Sequence, residues 1–371
     1  MIKKMTNLLI NKQILTVILP SYNEKANVDI LVQGLHEADV HSQIKRIIYV
    51  DDDSADNTSE HIKTSTYPVD VLCLQRIGRQ GLSSAVVEGI LLADTRYVAV
   101  MDADGQHLAS DLMRMLQIAI SEGDQLVIGS RFKDQATLET HVGLRSLLSR
   151  VGNHLANHVL RRQLSDPLTG FFLIERQLFN TISHRIRGSG FKILVDLIYN
   201  LRDKNIKIAE TQIQFAKRMH GESKLDSGVM IEFVDQMIGL FIGRLYPEKF
   251  LGFLVVGVIG MCVHFALLSI LLFQAASSFT TAQAVATFTA MVSNYALNNL
   301  LTFRRNRLNG INWFKGLIYF ILVCSVGALA NVGIAGYIYK LDNIWWLSGF
   351  AGIVVGTVFN FTLSKYFVWK K

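Results

Sequence analysis

Tyr97-Val98-Ala99-Val100-Met101-Asp102-Ala103-Asp104-Gly105-Gln106-His107 joins an unbroken apolar run to two carboxylates. The apolar half has the length and composition of a buried strand. In an extended segment residues i and i+2 point the same way, so Asp102, Asp104 and Gln106 offer three oxygen ligands along one edge. That donor set suits a hard divalent cation, Mg²⁺ or Mn²⁺, which keeps positions open for phosphate oxygens. Gly105 permits a tight turn there. The same residue types also build ordinary polar turns, so the flanking sequence has to decide.

Upstream, Ile14–Leu19 reads as a short buried strand ended by Pro20, with Ser21-Tyr22-Asn23-Glu24 as its loop. A helix follows from about Asn27 to Glu37. Arg46–Val50 is a second strand, running into Asp51-Asp52-Asp53-Ser54. Asp56-Asn57-Thr58 supplies N-cap chemistry for the next helix. Val69–Leu74 is a third strand, Gly81–Ala93 a helix and Tyr97–Met101 the fourth strand. Strands alternating with helices predict an α/β domain, Rossmann-like, with a mostly parallel sheet covered on both faces. Ligands of such sheets lie beyond the carboxyl ends of the strands. Each strand here ends in polar residues: Tyr22 and Glu24, Asp51 to Asp53, Arg76, then Asp102 and Asp104. A scaffold alone has no need of acids at successive strand ends.

The chain has 371 residues, 50% of them hydrophobic, and a net charge of +7. Length and composition suit two domains, one soluble and one membrane-embedded. From Phe250 onward Asp342 is the only acid, against Arg304, Arg305, Arg307, Lys315, Lys340, Lys365, Lys370 and Lys371. The first 249 residues are therefore electrically balanced, which argues against a nucleic-acid partner. Cys73, Cys262 and Cys324 are scattered with no CxxC spacing, and the two that sit in apolar runs read as small buried hydrophobes. The apolar run after Lys3 and Lys4 is short and broken by Asn11 and Lys12, so no cleaved signal is expected.

Four apolar runs, about 250–273, 282–301, 317–339 and 344–363, each reach the ~20 residues that span a bilayer. The basic residues between runs two and three and at the C-terminus place both in the cytoplasm, and with four spans the N-terminal half as well. Asn294 to Phe303 and Asn360 to Trp369 carry similar residues at the same separation, a weak internal repeat. Val229, Phe233, Met237 and Phe241 recur every four residues, predicting an amphipathic helix on the membrane surface within 227–249.

Pro20-Ser21-Tyr22-Asn23-Glu24, Val50–Thr58, the Gly81-Leu82 helix start, Asp102–His107 and Gly129-Ser130-Arg131-Phe132 fall in the order found in family-two glycosyltransferases of the GT-A fold. The chain most resembles the polyprenyl-phosphate (dolichol-phosphate) hexosyltransferases, the dolichol-phosphate mannose synthases among them, over about Ile14 to Lys224. The C-terminal part resembles the GtrA-like four-helix membrane domain. The resemblance implies a cytoplasmic catalytic domain over 1–226, a linker over 227–249 and a multi-pass domain over 250–371. It implies a nucleotide-sugar held by Pro20, Tyr22, Glu24, Asp52 and Arg76, and a metal on Asp102, Asp104 and Gln106. Arg145 and Ser149 share one face of a helix read over Val142–Arg162. In the resembled enzymes such a helix contacts the lipid phosphate. His220-Gly221-Glu222-Ser223-Lys224, flanked by Arg218, matches an acceptor-side loop of that family. Asp166-Pro167-Leu168-Thr169-Gly170-Phe171-Phe172 matches a signature that usually ends Gly-Phe-Arg; Phe172 replaces that cation here.

The implied reaction moves one hexose from GDP-mannose, or alternatively from UDP-glucose, to a dolichyl or polyprenyl phosphate, with inversion. An acceptor phosphate with a second pKa of about 6 is already a nucleophile at neutral pH, so a protein base is dispensable. The site has to bring two anions together instead. Asp104 and Arg131 are the catalytic candidates, with Arg145 and Lys224 helping to offset the repulsion. Polysaccharide synthesis is a rival, weakened by the absence of a QxxRW-like motif. A lipid-linked-sugar flippase with a regulatory soluble domain is another. Membrane lipid is a partner on every reading, and homo-oligomerisation stays open.

Overall fold

The computed structural model describes residues 13–78, 81–133, 144–186, 188, 192–214, 216, 227–243, 246–273, 279–342 and 345–369. The chain divides into two compact units, Met1–Leu225 and Asp226–Lys371.

The first unit runs β1 (Leu15–Ser21), α1 (Lys25–Ala38), β2 (Ile44–Asp51), α2 (Thr58–Thr64), β3 (Val71–Gln75), α3 (Leu82–Leu92), β4 (Tyr97–Val100), α4 (Ala109–Glu122), β5 (Leu126–Ser130), α5 (Leu144–Leu160), β6 (Phe172–Glu175), α6 (Arg176–Asn180), α7 (Ile193–Leu201) and β7 (Ile208–Gln212). The seven-stranded sheet has the order β3-β2-β1-β4-β6-β5-β7. β6 is antiparallel to both β4 and β5, and the other pairs are parallel. This is a GT-A-like, mostly parallel sheet. β1 and β4 are buried at every residue, as near-continuous Val/Ile/Leu runs between two helical layers require. β1 does not stop at Pro20: it continues through Ser21, with Pro20 paired to Val50. Pro20 is buried there, and its missing N–H is tolerated at the strand's last turn of the ladder.

Placing β4 beside β1 and β6 brings the strand ends at Ser21, Asp51, Met101 and Ser130 to one edge of the sheet. Gly89 lets α3 approach that sheet: an added Cβ would stand 2.5 Å from Ile18 Cγ2.

The second unit contains α8 (Ser227–Ile242), α9 (Phe250–Phe273), α10 (Phe279–Leu297), α11 (Ile311–Asp342) and α12 (Trp345–Leu363). Among the described residues one helix, over Phe250–Leu271, is long and apolar enough to cross a membrane. α8 is pinned to α9 by Asp235, a buried carboxylate that accepts from Lys249 N at 2.7 Å, Leu251 N at 2.9 Å and Tyr246 Oη at 2.6 Å. Those amides are orphans of a helix start, so Asp235 caps α9 from the neighbouring helix. The four-residue stripe on α8 is not one buried face: Met237 is buried but Phe241 is exposed.

The internal repeat has a backbone counterpart. α10 and α12 each end in a π-helical turn, at Asn298–Thr302 and Ser364–Val368. Phe303 N donates to Asn298 O, and Trp369 N to Ser364 O. The two rings so presented stack at 4.2 Å and 7°. Asn294 and Asn360 lie against Gly260 and Gly327, where any Cβ would collide with the amide. Small residues opposite amides are how apolar helices approach closely.

Candidate active site

The end of β4 carries the predicted acids. Asp102 is half-buried. Its backbone N–H donates to His107 Nδ1 at 3.1 Å. Asp104 is 5% exposed and accepts from Gln106 N at 3.1 Å, closing the turn that Gly105 makes with φ +76°. Gln106 Nε2 donates to Ala216 O at 3.2 Å, and Ala216 N returns a bond to Gln106 O. With its nitrogen engaged, the Gln106 amide keeps its oxygen for another donor or a cation. Among the described residues no group of three or more His, Cys, Asp or Glu could hold a metal. Two acids and an amide oxygen nonetheless fit Mg²⁺ or Mn²⁺, because such ions take the rest of their shell from water and substrate phosphate. Asp102, Asp104 and Gln106 would hold it.

His107 was in the quoted run but without a role. It is buried and stacked on Phe171 at 4.6 Å and 18°. Burial lowers its pKa, although the charges of Asp102 and Asp104 push the other way. The neutral ring accepts at Nδ1 and carries its proton on Nε2. Because the folded pKa lies below the ordinary 6.5, the unfolded chain binds the proton first as pH falls. The stability contributed by neutral His107 is therefore full above about 6.5 and declines as pH drops through that value. Thermal unfolding followed between pH 7.5 and 5 should show a steeper loss in the wild type than in His107→Gln.

Asp52 and Arg76, both expected on the nucleotide, hold each other. Arg76 Nη1 lies 3.0 Å from Asp52 Oδ1, and the arginine is 4% exposed. The guanidinium also donates to Gly81 O and Ser84 Oγ, while Asp52 accepts from Gly81 N at 3.0 Å. A pair this buried shapes the wall after β2 and β3 and fixes the start of α3, and does not present a bare cation to phosphate. Asp51, fully buried, accepts from Ser54 N and Ser54 Oγ and sets that loop. Tyr22 and Glu24 follow β1; Glu24 accepts from Asn27 Nδ2 at 2.7 Å.

Arg131, after β5, meets Asp166 in a two-pronged pair, Nε to Oδ2 at 2.7 Å and Nη2 to Oδ1 at 3.0 Å. Asp166 is fully buried and the Arg131 side chain 30% exposed. Burial works against the guanidinium charge, but Asp166 outweighs it and the Arg131 pKa is raised. Lys192, the residue just before α7, completes the group: Nζ donates to Leu168 O at 2.7 Å. Burial and then Arg131 lower its pKa, against Asp102 and Asp166. Nothing in the sequence reading singled out Lys192. Its one signal was a cation at a helix N-terminus, where the dipole disfavours it. Phe172 is fully buried, paired with Val100 and Ile128 in mid-sheet. Arg145 and Ser149 lie on the first turns of α5, and Arg218 and Lys224 lie outside the described residues.

The chain matches Glycosyl transferase family 2 over residues 16–183 and the GtrA/DPMS transmembrane domain over 252–369. It is 33% identical to the dolichol-phosphate mannosyltransferase of Mycosarcoma maydis over 233 residues, 61% of this chain and 78% of that one. The chain belongs to the dolichol-phosphate mannosyltransferase family. The family member from Pyrococcus furiosus is 28% identical over 358 residues, 95% of this chain and 99% of its own. That from Saccharomyces cerevisiae is 29% identical, over 61% of this chain and 86% of its own. Among solved structures, glucosyl-3-phosphoglycerate synthase from Mycobacterium tuberculosis in complex with uridine-diphosphate aligns at TM-score 0.49 and 16% identity, covering 66% of this chain and 85% of that one. So slight a likeness carries neither donor nor metal across. Membership in the mannosyltransferase family makes the first unit a glycosyltransferase and the second a membrane-associated domain.

Proposed function

We propose that this chain transfers mannose from GDP-mannose to the phosphate of dolichyl or a related polyprenyl phosphate, inverting the anomeric centre, at the cytoplasmic membrane face. The observation that carries the reading is the alignment with the Pyrococcus furiosus dolichol-phosphate mannosyltransferase, which runs through both units of the chain. Four spans at about 250–273, 282–301, 317–339 and 344–363 would anchor the chain, with residues 227–249 leading into them.

The chemistry asks little of the protein as a base, since the acceptor is already ionised. A divalent ion, when bound, supplies Lewis-acid charge on the departing diphosphate. Asp102, Asp104 and Gln106 orient that charge at the end of β4. Arg131, anchored on Asp166, turns its exposed fraction towards the anions. Tyr22 and Glu24 line the nucleotide side, and the Asp52–Arg76 pair keeps the wall behind it in shape. Arg145, Ser149, Arg218 and Lys224 are the residues assigned to the acceptor phosphate.

Membranes containing the chain, given polyprenyl phosphate and GDP-[¹⁴C]mannose, should form a labelled lipid that mild acid releases. A labelled lipid from UDP-[¹⁴C]glucose but none from GDP-mannose would replace the donor. No label from either donor would sink the reading.

A further inference from the structure

The segment Asp166–Gly170 leans directly on the first of the two metal-site acids. At Gly170 an added Cβ would stand 3.0 Å from Asp102 Oδ1 and 3.3 Å from Oδ2, so this backbone runs close beside the carboxylate and leaves no room for a side chain between them. Two cations hold the segment. Arg131 grips Asp166 at one end, and Lys192 reaches from the start of α7 to Leu168 O in the middle, at 2.7 Å. Beyond Gly170, Phe171 stacks on His107, the ring that accepts the Asp102 N–H. The main chain of Asp102 is thus fixed from one direction and its side chain bounded from another. Arg131 ties the segment to β5, and Lys192 ties it to α7.

We propose that Lys192 is a positioning residue: by holding Leu168 it sets Gly170 against Asp102, and so places that carboxylate for a divalent cation. This rests on the reading of Asp102 and Asp104 as ligands of the ion. The alternative, in which Lys192 is merely a nearby positive charge, predicts the opposite sign. An ammonium beside a cation site repels the ion, so deleting its charge alone would tighten binding. Deleting a brace loosens it. Partners one shell out from a metal ligand typically govern affinity about 10- to 100-fold.

The measurement is Mn²⁺ affinity of the full chain in detergent with GDP present, read from the electron paramagnetic resonance of free Mn²⁺. Lys192→Met should weaken binding about 10-fold or more, and Lys192→Arg, which keeps a long donor, should restore most of it. Gly170→Ala, which presses a methyl group against the Asp102 carboxylate while leaving Lys192 intact, should weaken binding as well. Thermal unfolding checks that each variant folds, and Lys192→Gln stands in under the same criterion if Lys192→Met does not. Unchanged or tighter Mn²⁺ binding in a folded Lys192 variant overturns the proposal. Asp104→Ala is the control: if it too binds Mn²⁺ normally, the metal reading itself has failed, independently of Lys192.

Discussion

Asp104→Ala should abolish sugar transfer while the protein still folds. In the fold the Asp104 carboxylate accepts from Gln106 N at 3.1 Å, within its own turn. Losing that acceptor orphans one amide, at about 1–3 kcal/mol. The sheet behind it is closed by β1, β4 and β6, none of which depends on the carboxylate. The chemical cost is larger. If the acid holds the ion that neutralises a departing diphosphate, its loss removes several kcal/mol of transition-state stabilisation, and each 1.36 kcal/mol is about tenfold in rate. A fall of roughly a thousandfold or more follows. Labelled transfer and thermal unfolding on the same preparation decide it. A folded variant keeping more than about a tenth of wild-type turnover would remove the acids after β4 from the mechanism.

Continuous apolar runs made β1, β2 and β4 legible, because a strand buried on both faces has few other ways to be written. β5, β6 and β7 were not legible: β7 is a partly polar, half-buried strand, and β6 joins the sheet antiparallel from a distant part of the chain. Periodicity cannot announce a partner reached only by folding. The site divides the same way. Asp102, Asp104 and Gln106 share one strand end, so local spacing sufficed. Asp52 and Arg76 were both visible as polar strand ends, but their mutual bond depends on the register of β2 against β3. Lys192 becomes a site residue only because α7 delivers it to Leu168. In the second unit the apolar runs were legible from length, whereas the π turns at Asn298 and Ser364 had no composition to betray them.

Arg131→Met should be strongly destabilising, and its remedy should separate stability from catalysis. The substitution leaves Asp166, fully buried, without the two-pronged partner at 2.7 and 3.0 Å. Breaking a buried pair from one side costs about 3–5 kcal/mol, because a desolvated charge is left uncompensated. For a domain of this size each kcal/mol lowers the unfolding midpoint by about 2–4 °C, so a drop of about 6–20 °C is expected. Removing both charges removes the stranded ion as well, and well-packed apolar replacements of buried pairs are often neutral. Arg131→Met with Asp166→Leu should therefore unfold at a higher temperature than Arg131→Met alone. Sugar transfer should not return with the stability. Two phosphates approaching each other still need positive charge near the exposed part of the guanidinium, and neither methionine nor leucine supplies it. If activity recovers together with the unfolding midpoint, Arg131 is a scaffold residue and the repulsion between donor and acceptor is offset elsewhere.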